Sequence, residues 1–287
     1  MIHKRLYTLL LLLITLPLSA QYTEIINSNR PGVSISAFSV GKNVLQGEMG
    51  FFFERQKHAG LLTESNFAGT DFAVRYGFLL EQLELAWEGV FQWEQITFTS
   101  IFPALTDNRT DFLNHTIGAK YLIYDPYKTP EKINVYSWKA NNSFTWKDLI
   151  PAVSLYAGVN LNFGDNPFWP NETEPSPKAT LATQHHFLSR WVLVTNITYD
   201  RFTTDDPVFN YVVTLIHALN NPKWSVFAEH QGFKSNAYAD GIFRGGAAHL
   251  IHRNFQIDAT VGINIKNTPS RLFGNVGFSY RLDFHKD

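Results

Sequence analysis

Charged side chains occur at alternate positions in several segments of the chain. From Val44 onward, Gln46, Glu48 and Glu54 alternate with apolar residues, and a period of two places the two sets on opposite faces of a β-strand. The same phasing in other segments gathers eight carboxylates and three bases on the polar face: Glu48, Glu54, Asp71, Arg75, Glu84, Glu88, Glu94, Lys120, Glu229, Asp258 and Arg281. Such a face forms either a salt-bridged packing layer or a selective polar pathway, and its excess of carboxylates would disfavour anions.

Sequence motifs for catalysis are absent. The chain has no His-Glu-x-x-His motif, no Gly-x-Ser-x-Gly motif and no glycine-rich phosphate loop. His185 and His186 are adjacent, and neighbouring residues of a strand point to opposite faces, so we expect no shared metal ion there. The absence of cysteine excludes a thiolate nucleophile and thiolate metal ligands. We therefore predict no catalytic residue, no metal and no cofactor.

Composition and charge limit the class of protein further. Lys and Arg number 24 against 25 Asp and Glu, so the chain has no basic footprint for nucleic acid. Aromatic residues make up 15% of the chain, which favours sheets and interfaces, whereas charged residues make up only 17%. A mean hydropathy of −0.14 argues against a bundle of transmembrane helices.

The N-terminus resembles an export signal. Lys4 and Arg5 precede an apolar stretch from Leu6 to Leu16, and small residues end at Ala20. The stretch is shorter than the roughly 20 apolar residues of a membrane anchor, so residues 1–20 are predicted to be a cleaved signal peptide. Removal of the two cations changes the formal charge of the chain from −1 to −3.

Residues after the signal divide into a short leader and a large sheet. Residues 21–42 are predicted to be either a periplasmic collar that anchors the first strand or a plug in the lumen. The turn-forming pair Pro31-Gly32 lies in this leader, and the candidates for gating are Asn29, Arg30, Pro31 and Gly32. Residues 43–287 are predicted to form the sheet.

Twelve segments of the sheet alternate between apolar and polar residues. Phe255, Ile257 and Ala259, for example, alternate with Gln256 and Asp258. Short turns alternate with longer connections, which are predicted at Gln56–Ser65, Ile96–Asp111, Gly164–Lys178, Phe202–Val208, Lys234–Asp240 and Ile265–Arg271. The pattern predicts an all-β protein: a transmembrane antiparallel up-and-down β-barrel of about 12 strands. A soluble sandwich would point its apolar face inward and lacks this asymmetry of loops.

Two features of the predicted barrel concern its ends. Trp191 and Trp224 open strands after short turns, where an aromatic belt at the periplasmic interface is expected, and Trp93 falls near the opposite end. The long segment Asp125–Ile150 is an exception on the periplasmic side. It is predicted to form either a short amphipathic helix or an element directed into the lumen.

Several short motifs resemble those of a known family. They include Asn29-Arg30-Pro31-Gly32 before the first strand, Leu45-Gln46-Gly47-Glu48 within it, and Arg75-Tyr76-Gly77 in the following hairpin. Later matches are Trp224–Glu229, Arg244–Ala248, Gln256–Asp258 and Ser279–Leu282. Together they are similar in order and spacing to outer-membrane transporters of the meta-pathway phenol-degradation family, especially its Bacteroidota branch. The resemblance implies a barrel exported to the outer membrane of a Gram-negative cell.

Three functions are compatible with these observations. The first is an outer-membrane channel or transporter that passes small, hydrophobic or aromatic molecules without chemistry, with lipid and a small solute as its partners. The second is a non-conducting structural or accessory subunit that binds other envelope proteins. The third is a lipid-modifying enzyme, for which His115 and His230 on the outward face are the only candidates, without an evident serine partner. The sequence leaves the oligomeric state open.

Overall fold

A computed structural model describes residues 25–128, 149–162, 165–170, 175–187 and 190–284. The predicted signal peptide at residues 1–20 lies outside the described residues. Residues 21–24 of the leader also lie outside the described residues. So does the central part of the segment 125–150, for which the sequence predicts either a helix or a lumen-directed element.

Twelve antiparallel strands form a closed barrel. Each strand pairs with its neighbours in the chain, and β1 pairs with β12 to close the sheet. The strands are β1 (Val44–His58), β2 (Thr63–Gly77), β3 (Leu83–Phe98), β4 (Leu105–Tyr124), β5 (Ala152–Asn160), β6 (Ser176–Phe187), β7 (Trp191–Asp200), β8 (Val208–Ala218), β9 (Trp224–Lys234), β10 (Ala239–His252), β11 (Phe255–Asn264) and β12 (Ser270–Asp283). The predicted up-and-down barrel is confirmed.

The outer surface of the barrel is apolar and the inner surface is polar. Phe53, Ile197, Val213, Val261 and Leu272 are exposed on the outside. Their neighbours in the chain point inward and are mostly polar, as the buried Asn196, Thr214 and Thr260 show. An apolar surface of this extent outside a closed barrel is stable in lipid, where closure leaves no unpaired strand edge.

Aromatic residues lie at the end of the barrel that carries the short turns. Trp191 stacks on His217 of the next strand, with 4.2 Å between ring centroids, and Trp224 lies over His249 at 4.3 Å. Amphipathic rings of this kind are enriched where lipid meets water. The positions of these rings fit the predicted periplasmic belt.

The first four strands are longer than predicted at the end of the barrel that carries the long connections. The connections predicted at Gln56–Ser65 and Ile96–Asp111 are too long, because strand pairing continues until only residues 59–62 and 99–104 remain. Beyond the lipid both faces of these strands are polar, so the alternation that marks a strand is lost while backbone pairing continues.

A bulge in β4 was also not predicted. Val90 of β3 pairs with Asn114 whereas Phe91 pairs with Phe112, so Leu113 is an extra residue. A bulge reverses the inward and outward phase of the residues beyond it. Arg109 is thereby aligned with Glu94 across the sheet.

Within the described ranges, the structure has no helix with the length and apolar character needed to span a bilayer.

The assignment of the outer face to lipid predicts how charge affects stability. Val213 is exposed at the middle of β8, and we expect Val213→Arg to lower the free energy of unfolding by about 2–4 kcal/mol. Gln95→Arg, on β3 beyond Trp93, should cost at most about 1 kcal/mol because it lies outside the hydrocarbon. Reversible denaturant unfolding in lipid vesicles measures both. Equal costs would place Val213 outside the lipid.

Candidate functional site

The N-terminal segment, defined here as residues 25–43, crosses the interior of the barrel. It is irregular, and inward side chains of the strands satisfy its backbone groups. The N–H of Asn29 donates to the carboxylate of Glu48 on β1 at 3.2 Å. Ile35 exchanges two hydrogen bonds with the side-chain amide of Asn196 on β7, at 2.7 and 2.9 Å. The sequence around Pro31 cannot join the sheet as a strand, so it depends on these side chains.

Arg30 is the most strongly bound side chain of the segment. Its Nε and Nη2 donate to the carboxylate of Asp258 on β11, at 3.1 and 3.0 Å. Nη1 forms an ion pair with Asp71 on β2, and Nη2 also donates to Asn275 on β12 at 2.8 Å. Burial opposes the charge on Arg30, but Asp71 and Asp258 outweigh it and raise the pKa of the guanidinium above its ordinary value. Arg30 therefore links three strands through the lumen.

Two glycines make room for the Arg30 guanidinium. A Cβ atom on Gly50 of β1 or on Gly277 of β12 would overlap the guanidinium nitrogens of Arg30. On the outward side of β1, by contrast, a Cβ atom on Gly47 would meet no atom within 4 Å. The small residues at positions 50 and 277 thus allow Arg30 to lie against the barrel wall.

Glu229 binds the segment just after Pro31. Its carboxylate accepts hydrogen bonds from the N–H groups of Val33 and Ser34 at 3.0 to 3.3 Å. Thr214 donates to the same carboxylate at 2.8 Å, and Arg244 forms an ion pair with it at 3.2 Å. Both oxygens of this buried carboxylate therefore have hydrogen-bond donors within the protein.

A second ionic cluster lies toward the end of the barrel that carries the short turns. Arg75 donates to both oxygens of Glu84, at 2.9 and 3.0 Å, and to Glu48 at 3.0 Å. Lys120 forms an ion pair with Glu84 at 3.2 Å and donates to the carbonyl groups of residues 36 and 38. All four side chains are at most 5% exposed, so each charge depends on the others for compensation.

Two cavities border the N-terminal segment. The larger, of 570 Å³, lies toward the long connections and includes Phe52, Phe233 and Phe273 in its lining. The smaller, of 180 Å³, lies toward the short turns and includes Ile216 and Phe227. Both cavities are lined by residues 29–32. This stretch is therefore a common wall between the two halves of the lumen.

The structure places all of the predicted polar set on the inner surface. Asp71, Arg75, Glu84, Lys120, Glu229, Asp258 and Glu48 bind the N-terminal segment or its ionic partners. Glu54 and Glu88 lie in the wall of the larger cavity, where they pair with Arg271 and Lys178. Glu94 lies opposite Arg109, and Arg281 donates to Asp283 at the end of β12. Residues 29–32, the candidates for gating, are brought together at the common wall.

Sequence reasoning missed several bases of the lumen. Lys178, Arg244 and Arg271 pair with Glu88, Glu229 and Glu54. Lys178 and Arg271 fell just outside the predicted strands. Within the described residues, seven of the eight predicted carboxylates have a basic partner, so the lumen has far less uncompensated negative charge than its acid count implies.

Signals for these missed residues were partly present in the sequence. Extending the alternation of β6 and β12 by one or two residues toward their starts brings Lys178 and Arg271 to the polar face. Arg244 precedes Gly245-Gly246-Ala247-Ala248. These small residues show no apolar and polar alternation, so the sequence does not indicate which face of the strand Arg244 occupies. Uncharged side chains also bind the N-terminal segment, among them Gln184, Asn196 and Asn275. No sequence motif distinguishes them from other polar residues.

The two histidines considered for lipid chemistry lie on the outer face. The indole N–H of Trp87 donates to Nε2 of His115 at 2.6 Å. His230 packs between the rings of Tyr211 and Phe243. Among the described residues, no group of three or more His, Asp or Glu side chains is arranged to hold a metal ion.

Solved structures with similar folds are outer-membrane barrels. An outer-membrane channel from Pseudomonas putida F1 superposes with a TM-score of 0.53 at 10% identity, covering 90% of this chain and all of the other. The Pseudomonas putida toluene transporter TodX gives a TM-score of 0.44 at 11% identity, covering 93% of this chain and 95% of the other. The likeness to the first shows a common fold.

Sequence comparison identifies the family. No curated protein matches the chain significantly. The family described as "Putative MetA-pathway of phenol degradation" matches residues 28–282, from the N-terminal segment to the last strand. The resemblance of the sequence motifs to the family is thereby confirmed, while the Bacteroidota branch stays a prediction, and the chain belongs to this family.

Proposed function

We propose that the protein is an outer-membrane channel for small hydrophobic or aromatic molecules, and that the N-terminal segment is a plug that gates it. The observation that carries this proposal is the common wall: residues 29–32 line both cavities of the lumen. A solute that crosses the barrel along its axis meets this wall. Movement of the wall is therefore the step that controls passage.

The lining of the lumen supports small apolar solutes. A cavity of about 150 Å³ is enough to hold a benzene molecule, and both cavities exceed that volume. Phenylalanine rings and aliphatic side chains line them beside polar groups that are already paired. A lumen whose charges compensate one another gives little electrostatic attraction to free ions. The family's association with phenol degradation supports an aromatic cargo.

The contacts of the plug support gating rather than simple anchoring. A collar at the first strand would need contacts only with β1 and its neighbours. The segment instead binds Asp258 on β11, Glu229 on β9, Asn196 on β7 and Gln184 on β6. These partners lie on many sides of the barrel, so the segment spans the bore.

Location and partners follow from the same proposal. The chain is exported through the signal peptide at residues 1–20 and inserts in the outer membrane of a Gram-negative bacterium of the Bacteroidota. Lipid covers the apolar outer face, and the protein performs no chemistry on its solute. The proposal rests on the sequence motifs and on the fold shared with outer-membrane barrels.

Solute flux into liposomes that carry the refolded chain tests the function. We expect faster entry of small phenols than of sugars or inorganic ions. Deletion of residues 21–42 should increase flux and reduce its selectivity. If neither chain passes any solute, the protein belongs instead to the non-conducting accessory subunits, and co-purification of an envelope protein becomes the relevant measurement.

Removal of the Arg30 charge should open the channel. Arg30→Gln loses hydrogen bonds to Asp71 and Asp258, each worth about 1.5–3 kcal/mol, so we expect at least about a tenfold rise in phenol flux. Arg55→Gln is the matched control, because Arg55 pairs with Glu64 outside the lumen and is exposed. Heat-modifiable mobility on gels verifies that both variants fold. Unchanged flux in folded Arg30→Gln would contradict the gate.

A single added methyl group should have a similar effect. Gly50→Ala displaces the Arg30 guanidinium, whereas Gly47→Ala on the same strand meets open space. We expect higher phenol flux from the first variant and wild-type flux from the second. Equal flux from both would mean that the position of Arg30 does not control passage.

A further inference from the structure

One side chain connects the plug to a histidine. The Oε1 atom of Gln184 accepts hydrogen bonds from the hydroxyl of Ser36 at 2.8 Å and from the N–H of Ala37 at 3.3 Å. The Nε2 atom of the same amide lies 2.7 Å from Nε2 of His186. Gln184 is 7% exposed, so water does not readily replace these partners.

The plug determines which way this amide faces. A backbone N–H only donates, so Ala37 requires the oxygen of Gln184 and directs the NH₂ group toward His186. Nε2 of His186 must then accept a hydrogen bond. Only a neutral imidazole with its proton on Nδ1 has a free acceptor at Nε2. The bound plug is thus compatible with one protonation state of His186.

His186 also contacts the plug directly. Its ring lies edge-on to Phe38 at 5.7 Å and against Tyr127 at 4.8 Å. The backbone N–H of His186 donates to the Tyr127 hydroxyl at 2.7 Å. The charged or titratable groups that face it among the described residues are Asp125 and Tyr127 after β4, and His185 on β6. Lys120 of β4 holds the same stretch of the plug through two carbonyl groups.

His186 is accessible to protons from one side of the membrane. It is exposed near the end of β6, at the end of the barrel that carries the short turns. In outer-membrane barrels the short turns face the periplasm. A histidine at this end senses periplasmic pH while its amide partner holds the plug inside the lumen.

We propose that His186 is a proton-operated latch for the plug, an inference that rests on the proposed gating role of residues 25–43. A proton added at Nε2 turns that atom into a donor that faces the NH₂ group of Gln184. The amide relieves this conflict only by turning over, which presents its NH₂ group to the N–H of Ala37. Either arrangement brings two donors together and weakens the hold on residues 36 and 37.

The direction of the pH effect follows from proton counting. The latched state binds one proton fewer than the released state, so the latched state gains stability as pH rises. Histidines titrate between about pH 5 and 8. Acidification across this range therefore favours release of the plug.

Hydrogen–deuterium exchange of the full refolded chain tests the latch without any solute. The protection of peptides that contain Ser36–Phe38, corrected for intrinsic exchange, should fall about tenfold from pH 8 to pH 5.5, as expected for one lost hydrogen bond. His186→Gln should remove this pH dependence. His217→Gln, on the outer face beside Trp191, is the matched control and should retain it.

A second variant guards against a folding defect in the first. Gln184→Leu keeps the histidine but removes the amide, so we expect low protection of Ser36–Phe38 at both pH values. Protection in the wild type that does not change with pH, or pH dependence that survives in His186→Gln, would overturn the latch. Because exchange does not require flux, these results leave the liposome measurements free to support or refute the channel on their own.

Discussion

A backbone that crosses lipid must satisfy every hydrogen bond within the protein, and the rest of this structure depends on that constraint. Pairing of β1 with β12 closes the sheet, so that every strand has a hydrogen-bonded neighbour on both sides. Closure also encloses an inner surface of polar side chains away from bulk water. These side chains then need partners of their own, which neither lipid nor strand pairing supplies.

The N-terminal segment supplies many of those partners. Its backbone donates to Glu48, Glu229 and Asn196, and Arg30 compensates Asp71 and Asp258 at once. The lumen side chains in turn satisfy the backbone of the segment. An irregular segment inside a barrel needs such partners because it pairs with no strand. A polar lumen and the irregular N-terminal segment therefore stabilise each other, and a change in one exposes unsatisfied groups in the other.

Sequence predicts those parts of this structure that depend on local pattern. The alternation of apolar and polar residues in β11 predicts both that the segment is a strand and that Asp258 points inward. The number of strands follows from repetition of that pattern. Partners in the lumen are not local. Asp71 and Asp258 lie 41 and 228 residues from Arg30 in the chain, and no pattern within a strand indicates which inward carboxylates converge. The bulge at Leu113 is invisible for a related reason, since polar residues lie on both faces beyond it.

The contacts that hold the proposed plug would allow reversible release. Few of the segment's side chains are buried apolar groups, chiefly Ile26, Ala37 and Val40. Its neutral hydrogen bonds each contribute only about 0.5–1.5 kcal/mol, because folding exchanges hydrogen bonds with water for those within the protein. The charged contacts of Arg30 are stronger, so the free energy of closure is concentrated at the wall between the cavities. The N-terminal segment is also held by apolar packing of Ala37 against Leu122 and Ala152. Ala37 lies between residues 29–32 and the start of β1 in the chain. In the proposed gate, residues 29–32 move while Gln184 and the packing at Ala37 hold residues 36 and 37. Protonation of His186 would loosen this second attachment separately from the wall.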